Sequence, residues 1–124
     1  MENIIMYFIG AMKKYIVFKG RARRAEYWSF TLCTVLISII VLEIDIKIFG
    51  YSIYLQQSSL LQNIVSLIFF LPSLAVSWRR MHDVGKSGFF TFVPIYNLIL
   101  SLRSGETGDN EYGPDPKVNL TSEN

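Results

Sequence analysis

Two uncharged apolar runs, 27–42 and 60–78, set the terms on which this chain can fold. Run 60–78 (LLQNIVSLIFFLPSLAVSW) holds nineteen residues, eleven of them Leu, Ile, Val or Phe. As a helix it is about 28 Å long, close to the ~30 Å thickness of bilayer hydrocarbon. Gln62 and Asn63 near one end are tolerable at that apolar content. Pro72 lacks the N–H that would reach the Ile68 carbonyl, so a kink is expected there. In the other run, nine of the residues 28–42 are Leu, Ile, Val or Phe. They favour membrane insertion by roughly 3–5 kcal/mol in total. Its helix would be about 24 Å long, and Arg23 and Arg24 can extend it by snorkelling.

Around these runs the chain divides into five stretches. Residues 1–18 (MENIIMYFIGAMKKYIVF) read as an interfacial helix with its apolar side in the headgroup boundary. Its lysines follow the apolar stretch and no small-residue cleavage site appears, so a signal peptide is not expected. Helix one is placed at 23–48. Glu43 and Lys47 stand at i,i+4 in the favourable order and support its far end. The period-two alternation of EIDIKI is a strand pattern, but a helical end followed by an irregular loop is preferred. Helix two is placed at 60–81. Run 87–102 is uncharged but short and carries Pro94. A tilted third span is preferred over a re-entrant or surface-lying segment. The tail 103–124 is turn-forming and acid-rich, with Arg103 and Lys117 against five carboxylates. It lacks the spacing of a calcium loop.

Composition agrees with a small membrane domain: 51% hydrophobic, only 18% charged, and a positive mean hydropathy. The net charge of +2 gives no footprint for nucleic acid. The lone cysteine, Cys33, cannot form an internal disulfide. The distribution of basic residues says more than their sum. Six (Lys13, Lys14, Lys19, Arg21, Arg23, Arg24) precede helix one, one (Lys47) lies between the helices, and three (Arg79, Arg80, Lys86) follow helix two. By the positive-inside rule the N-terminus and the 79–88 turn are cytoplasmic. A third span would put the tail outside, and re-entry would put it inside.

Three stretches carry a resemblance. FKGRARRAEYW (18–28), PSLAVSWRRMHDVGKSGFF (72–90) and GETGDNEYGPDPK (105–117) are similar, in order and spacing, to a bacterial inner-membrane family known as domain-of-unknown-function family 805. They cover about a third of the chain. The resemblance implies a small helical protein of the bacterial inner membrane and implies no activity. This chain departs from the pattern in its short third run and in Phe89-Phe90, where paired tryptophans are usual.

Catalytic signals are sparse. His82 and Asp83 are sequence neighbours and do not face each other on a helix. One His and one Cys cannot hold zinc. The segment Gly-Lys-Ser at 85–87 lacks the first glycine of a phosphate-binding loop. No catalytic residue, metal or cofactor is expected. The basic clusters are better evidence. At 100° per residue Arg24, Tyr27, Thr31, Thr34 and Ser38 share a face of helix one, and Asn63, Ser66, Ser73, Ser77 and Arg80 share one of helix two. Small hydroxyl residues are common where membrane helices pack. If the stripes meet, Arg24 and Arg80 lie together at the inner end, with Arg79 turned toward lipid. Two such arginines need an anion between them, which Asp83 (i+3 from Arg80) or a lipid phosphate could supply.

The sequence thus predicts an all-α membrane bundle with two spans, a shorter third one and an interfacial N-terminal helix. Its expected role is a non-catalytic module binding anionic lipid or a membrane partner through a cytoplasmic arginine-rich edge, with a homo-oligomer also open to it. That edge comprises Arg21, Arg23, Arg24, Arg80, His82, Asp83 and Lys86. A transporter or channel component, and an enzyme acting on lipid head groups, are the alternative classes.

Overall fold

The computed structural model describes residues 2–50 and 60–116. The expected irregular loop at 51–59 and the end of the tail from 117 onward lie outside the described residues. Four α-helices and one 3₁₀ turn make up the fold, and no strand occurs among the described residues. Helix α1 is Glu2–Lys13, α2 is Arg24–Phe49, α3 is Leu60–Asp83 and α4 is Tyr96–Leu102, with the 3₁₀ turn at Gly88–Phe92.

The two long helices form on the expected runs and outlast them. At 26 and 24 residues they are about 39 and 36 Å long. Helix α2 continues through the alternating EIDIKI segment, so the strand pattern there yields to helix, and it stops at Gly50. That residue adopts φ +84°, open to glycine without strain, and its N–H caps the Ile46 carbonyl at 2.9 Å. Helix α3 runs through Pro72 and ends in a Schellman turn. The Lys86 N–H donates to the Met81 carbonyl at 2.9 Å, and Gly85 takes φ +79°. The sequence HDVGK writes that stop locally.

The long helices are antiparallel: the Ala22 N–H just before α2 donates to the Arg79 carbonyl near the end of α3 at 3.0 Å, and the Gln62 amide near the start of α3 donates to the Ser38 carbonyl at 3.3 Å. Their outer surfaces stay apolar and exposed, with Leu32, Leu36 and Ile40 on α2 and Leu67, Ile68 and Phe70 on α3. The Leu61–Asp83 stretch is long and apolar enough to cross a membrane, and only 17% of its apolar window is buried. The core helix of a soluble protein would be mostly buried.

Two expectations need correcting. Helix α1 is not simply laid along a headgroup boundary. Its Phe8, Ala11 and Met12 pack on Phe30 of α2 and on Phe69 and Val76 of α3. Only its other side, with Ile5, Met6 and Ile9, is exposed. The run 87–102 does not form a continuous third span. It breaks into the 3₁₀ turn and a seven-residue helix about 10 Å long, far short of the bilayer. Pro94 has no N–H to continue a helix, and the Asn97 amide folds back to donate to the Thr91 carbonyl. The tail therefore returns to the end of the bundle from which the run began.

Trp78 anchors that return. Its indole stacks edge-on with Phe18, Phe89 and Phe92, at centroid distances of 5.8, 4.9 and 6.4 Å. Gly88 lies so close that a Cβ there would come within 2.0 Å of the indole ring. Gly88→Ala is accordingly expected to cost about 1–3 kcal/mol through overpacking. Thermal unfolding in detergent, read by Trp fluorescence, checks this; an unchanged midpoint would mean that the aromatic cluster yields freely.

Candidate functional site

Charge is concentrated where α2 begins and α3 ends. Here the loop 19–23, the last turn of α3 and the tail 103–116 converge on Asp83. Helical spacing carries Arg80 to Asp83 at i+3, and its Nη1 donates to Asp83 Oδ2 at 2.5 Å. The second carboxylate oxygen, Oδ1, accepts from Nε of Arg21 at 3.0 Å, across 62 residues of sequence. All three side chains are sealed: those of Arg21 and Arg80 are 0% exposed and that of Asp83 2%.

One carboxylate does not exhaust two guanidinium groups, and their Nη donors find backbone carbonyls, whereas Arg80 Nε is buried without a partner among the described residues. Arg21 Nη1 donates to the Gly108 carbonyl at 2.6 Å and its Nη2 to the Glu106 carbonyl. Arg80 Nη1 donates to the Ala22 carbonyl at 3.2 Å, and its Nη2 to the Arg103 carbonyl. The tail is held reciprocally, since the Glu106 N–H donates to the Asp83 carbonyl at 2.7 Å. Gly105 passes so near that a Cβ would lie 2.0 Å from the Asp83 carboxylate.

A second device closes the short helix. The last carbonyls of an α-helix lack partners within the helix and carry partial negative charge. At α4 the Ser101 carbonyl accepts from Trp28 Nε1 at 3.1 Å, the Leu102 carbonyl from Arg24 at 3.1 Å, and the Arg103 carbonyl from Arg80. Arg24 and Arg80 thus converge as helical phase predicts, but on the end of a helix. The anion beside Arg80 is Asp83, and its second cation is Arg21.

The other expected residues distribute as follows. Helical phase places Arg79 toward lipid, and the structure overturns this. Arg79 is 2% exposed, with Nη1 on Glu26 Oε1 at 2.6 Å and Nε on the Val17 carbonyl at 3.0 Å. Helix α1 and the turn after it cover the side of α3 that a two-helix picture leaves to lipid. Arg23 joins α1 through the Tyr7 hydroxyl at 2.8 Å. His82 is buried with Nδ1 3.0 Å from the Gly20 carbonyl, so Nδ1 carries the proton. Its ring stacks on Tyr112 at 4.1 Å, away from Asp83. The Tyr112 phenol is raised above its ordinary range, first by burial and then by Glu111 and Glu106. Lys86 is half-buried and makes no ion pair among the described residues. Thr31, Thr34, Ser73 and Ser77 line one cleft between α2 and α3, and Ser38 borders the next. Ser66 is exposed, so the structure does not place it at the helix interface.

Sequence reasoning missed Glu26, Gly105, Glu106, Asn110 and Tyr112. Glu26 lies in the ARRAEYW stretch, but no periodicity links it to Arg79. The Asn110 amide ties the tail to the His82 carbonyl at 3.0 Å and to Glu106 at 2.9 Å. Only the return of the tail reveals these partners.

Apolar outer faces around a charged, sealed end define a small helical membrane protein. The chain belongs to the family described as protein of unknown function DUF805, whose model matches residues 15–114. Curated relatives include inner membrane protein YhaI of Escherichia coli K12. It is 37% identical over 121 residues, covering 91% of this chain and 97% of the relative. Inner membrane protein YhaH of the same strain is 31% identical over 119 residues, covering 90% and 97%. No solved structure matches the chain.

Removing Asp83 leaves two buried guanidinium groups without a counter-charge. Asp83→Asn is expected to destabilise the fold by about 3–5 kcal/mol, and Arg21→Gln or Arg80→Gln to be disruptive too. Arg79→Gln is also expected to lower the unfolding midpoint, since it strips Glu26 of its partner. Circular dichroism melts of the four variants in mild detergent check this; Asp83→Asn melting like the parent would exclude the clasp as a stabilising unit.

Proposed function

We propose that this protein is a non-catalytic inner-membrane module that crosses the bilayer twice and binds anionic lipid head groups through a cationic rim around the clasp. The carrying observation is a division of labour among the basic residues. Arg21, Arg79 and Arg80 are buried and paired, whereas Lys13, Lys14, Lys19 and Arg24 are exposed and form no ion pair among the described residues. Each cation near an anionic surface contributes about 1 kcal/mol of attraction. The acidic side chains of Glu106, Asp109 and Glu111 gather on the tail, leaving the end of α1 and the start of α2 positive. A non-catalytic role is supported by His82, whose ring is committed to Gly20 and Tyr112.

Crossing by both α2 and α3 is supported by their lengths and exposed apolar faces, and the distribution of Lys and Arg favours a cytoplasmic clasp. In a Cys33→Ser background, Lys47→Cys should react with an impermeant maleimide on intact cells. Lys19→Cys and Thr107→Cys should react only after permeabilisation. Labelling of Thr107→Cys from outside would put the tail across the membrane and overturn the two-span topology.

Head-group binding is tested by native mass spectrometry from mild detergent, with phosphatidylglycerol and phosphatidylcholine as competing probes. The parent should retain phosphatidylglycerol preferentially. The combined Lys13→Gln, Lys14→Gln, Lys19→Gln and Arg24→Gln variant should lose at least about 2 kcal/mol of that preference, at about 1 kcal/mol per charge with allowance for screening. An unchanged preference would overturn the rim.

A further inference from the structure

Between α2 and α3, on the face bearing Arg24, the packing is incomplete. A cavity of about 170 Å³ is bordered by Tyr27, Thr31, Thr34, Ser73 and Ser77. A second of about 380 Å³ adjoins it along Thr34 and Val35 and extends to Ser38, Leu42 and Gln62. Together they form a groove that starts one turn from the clasp and runs along more than half of α2.

The chemistry of its wall is not that of a polar site. The Thr31 hydroxyl donates to the Tyr27 carbonyl at 2.9 Å and the Thr34 hydroxyl to the Phe30 carbonyl at 2.7 Å. Both donors are thereby spent within their own helix, as is common for threonine in helices. Two of the stripe's hydroxyls are thus unavailable to a visitor, and Phe30, Val35 and Val76 complete the first wall. Valine, isoleucine and leucine complete the second cavity, where Val35 and Ile39 stand half exposed along its open side.

The end of the groove is different. Arg24, Tyr27, Thr31 and Thr34 follow one another at helical spacing on a single face of α2. Arg24 is exposed, and among the described residues its hydrogen bond goes to the neutral Leu102 carbonyl. A cation therefore stands one turn beyond a mostly apolar open groove, an arrangement complementary to an anionic amphiphile.

The geometry points to a specific phospholipid site: one acyl chain of an anionic phospholipid lies in the groove between α2 and α3, with its phosphate on Arg24. An enclosed apolar cavity of ~150 Å³ accommodates benzene, so two adjoining hollows of about 170 and 380 Å³, open along one side, have room for a length of acyl chain laid in the groove. A packed helix of a second copy would be about 10–12 Å across and could only rest on the groove rather than enter it. The site rests on the head-group reading above and adds to it a defined place for the chain.

A phosphatidylglycerol carrying a diazirine midway along one acyl chain, photolysed with the unaltered protein in nanodiscs, tests this directly. Adducts mapped to single residues by tandem mass spectrometry should concentrate on Thr31, Thr34, Val35, Ser38, Ser73 and Ser77. They should exceed those on the lipid-exposed Leu36 and Leu67 faces by about tenfold, the ratio given by 1.4 kcal/mol. Ser73→Phe, which fills the groove, should abolish that enrichment and lower retained phosphatidylglycerol. Ser66→Phe on the exposed face should do neither. Adducts spread evenly over the apolar surface, with phosphatidylglycerol still preferred over phosphatidylcholine, would overturn the groove and leave the rim standing. Loss of the preference itself would remove both. Disulfide formation between Thr34→Cys chains in the Cys33→Ser background, together with absent adducts, would give the groove to a second copy and overturn the lipid site.

Discussion

Asp83 accepts two guanidinium groups, one on each carboxylate oxygen, and the architecture of the basic end hangs on that arrangement. Two arginines brought this close in a poorly hydrated place repel each other and lose hydration. A single carboxylate between them offsets much of the cost, and carbonyls from three segments take up further N–H donors. Because each guanidinium is planar and its donors have fixed directions, the carbonyls of Ala22, Arg103, Glu106 and Gly108 have little freedom. A loop, a helix end and a tail acquire shape from side chains that sit outside them. Glycine at 105 is part of the same constraint, since the tail could not pass the carboxylate with a larger residue there.

The molecule is polar within and apolar without. Its buried residues include Arg21, Asp45, Arg79, Arg80, His82 and Asp83, while leucines, isoleucines and phenylalanines cover the outside of the long helices. In water this would leave a large exposed apolar surface unpaid for by burial. In lipid the outer faces are solvated by hydrocarbon, and association between helices comes from packing and hydrogen bonding rather than from exclusion of water. The aromatic contacts of Phe8, Phe30 and Phe69 supply such packing between α1 and the long helices.

The basic residues serve two different ends. Those that are buried fix the fold, and those that are exposed remain available to the membrane surface. The distinction follows from what packs above each one. Helix α1 and its following turn cover Arg79, the loop and tail cover Arg21 and Arg80, and nothing in the described residues covers Lys13, Lys14 or Lys19. The short α4 belongs to the first group of effects, because its orphan carbonyls are capped by Arg24, Trp28 and Arg80.

By itself the sequence determined the two long helices, their approximate limits and the i+3 reach of Arg80 to Asp83. These follow from apolar run length and helical period, which are local properties of the chain. Membership of a bacterial inner-membrane family was legible too, in the GRARRAEYW and RRMHDVGK stretches and the tail. Tertiary structure decided the partners that are distant in sequence: Arg21 with Asp83, Arg79 with Glu26, and the carbonyls of α4 with Arg24 and Trp28. It also decided that run 87–102 breaks and turns back. An uncharged run of that length satisfies the composition of a short span, and its fate depends on the capping groups that meet its far end. Those groups come from other helices, so helical phase could bring Arg24 and Arg80 together but could not say what lay between them.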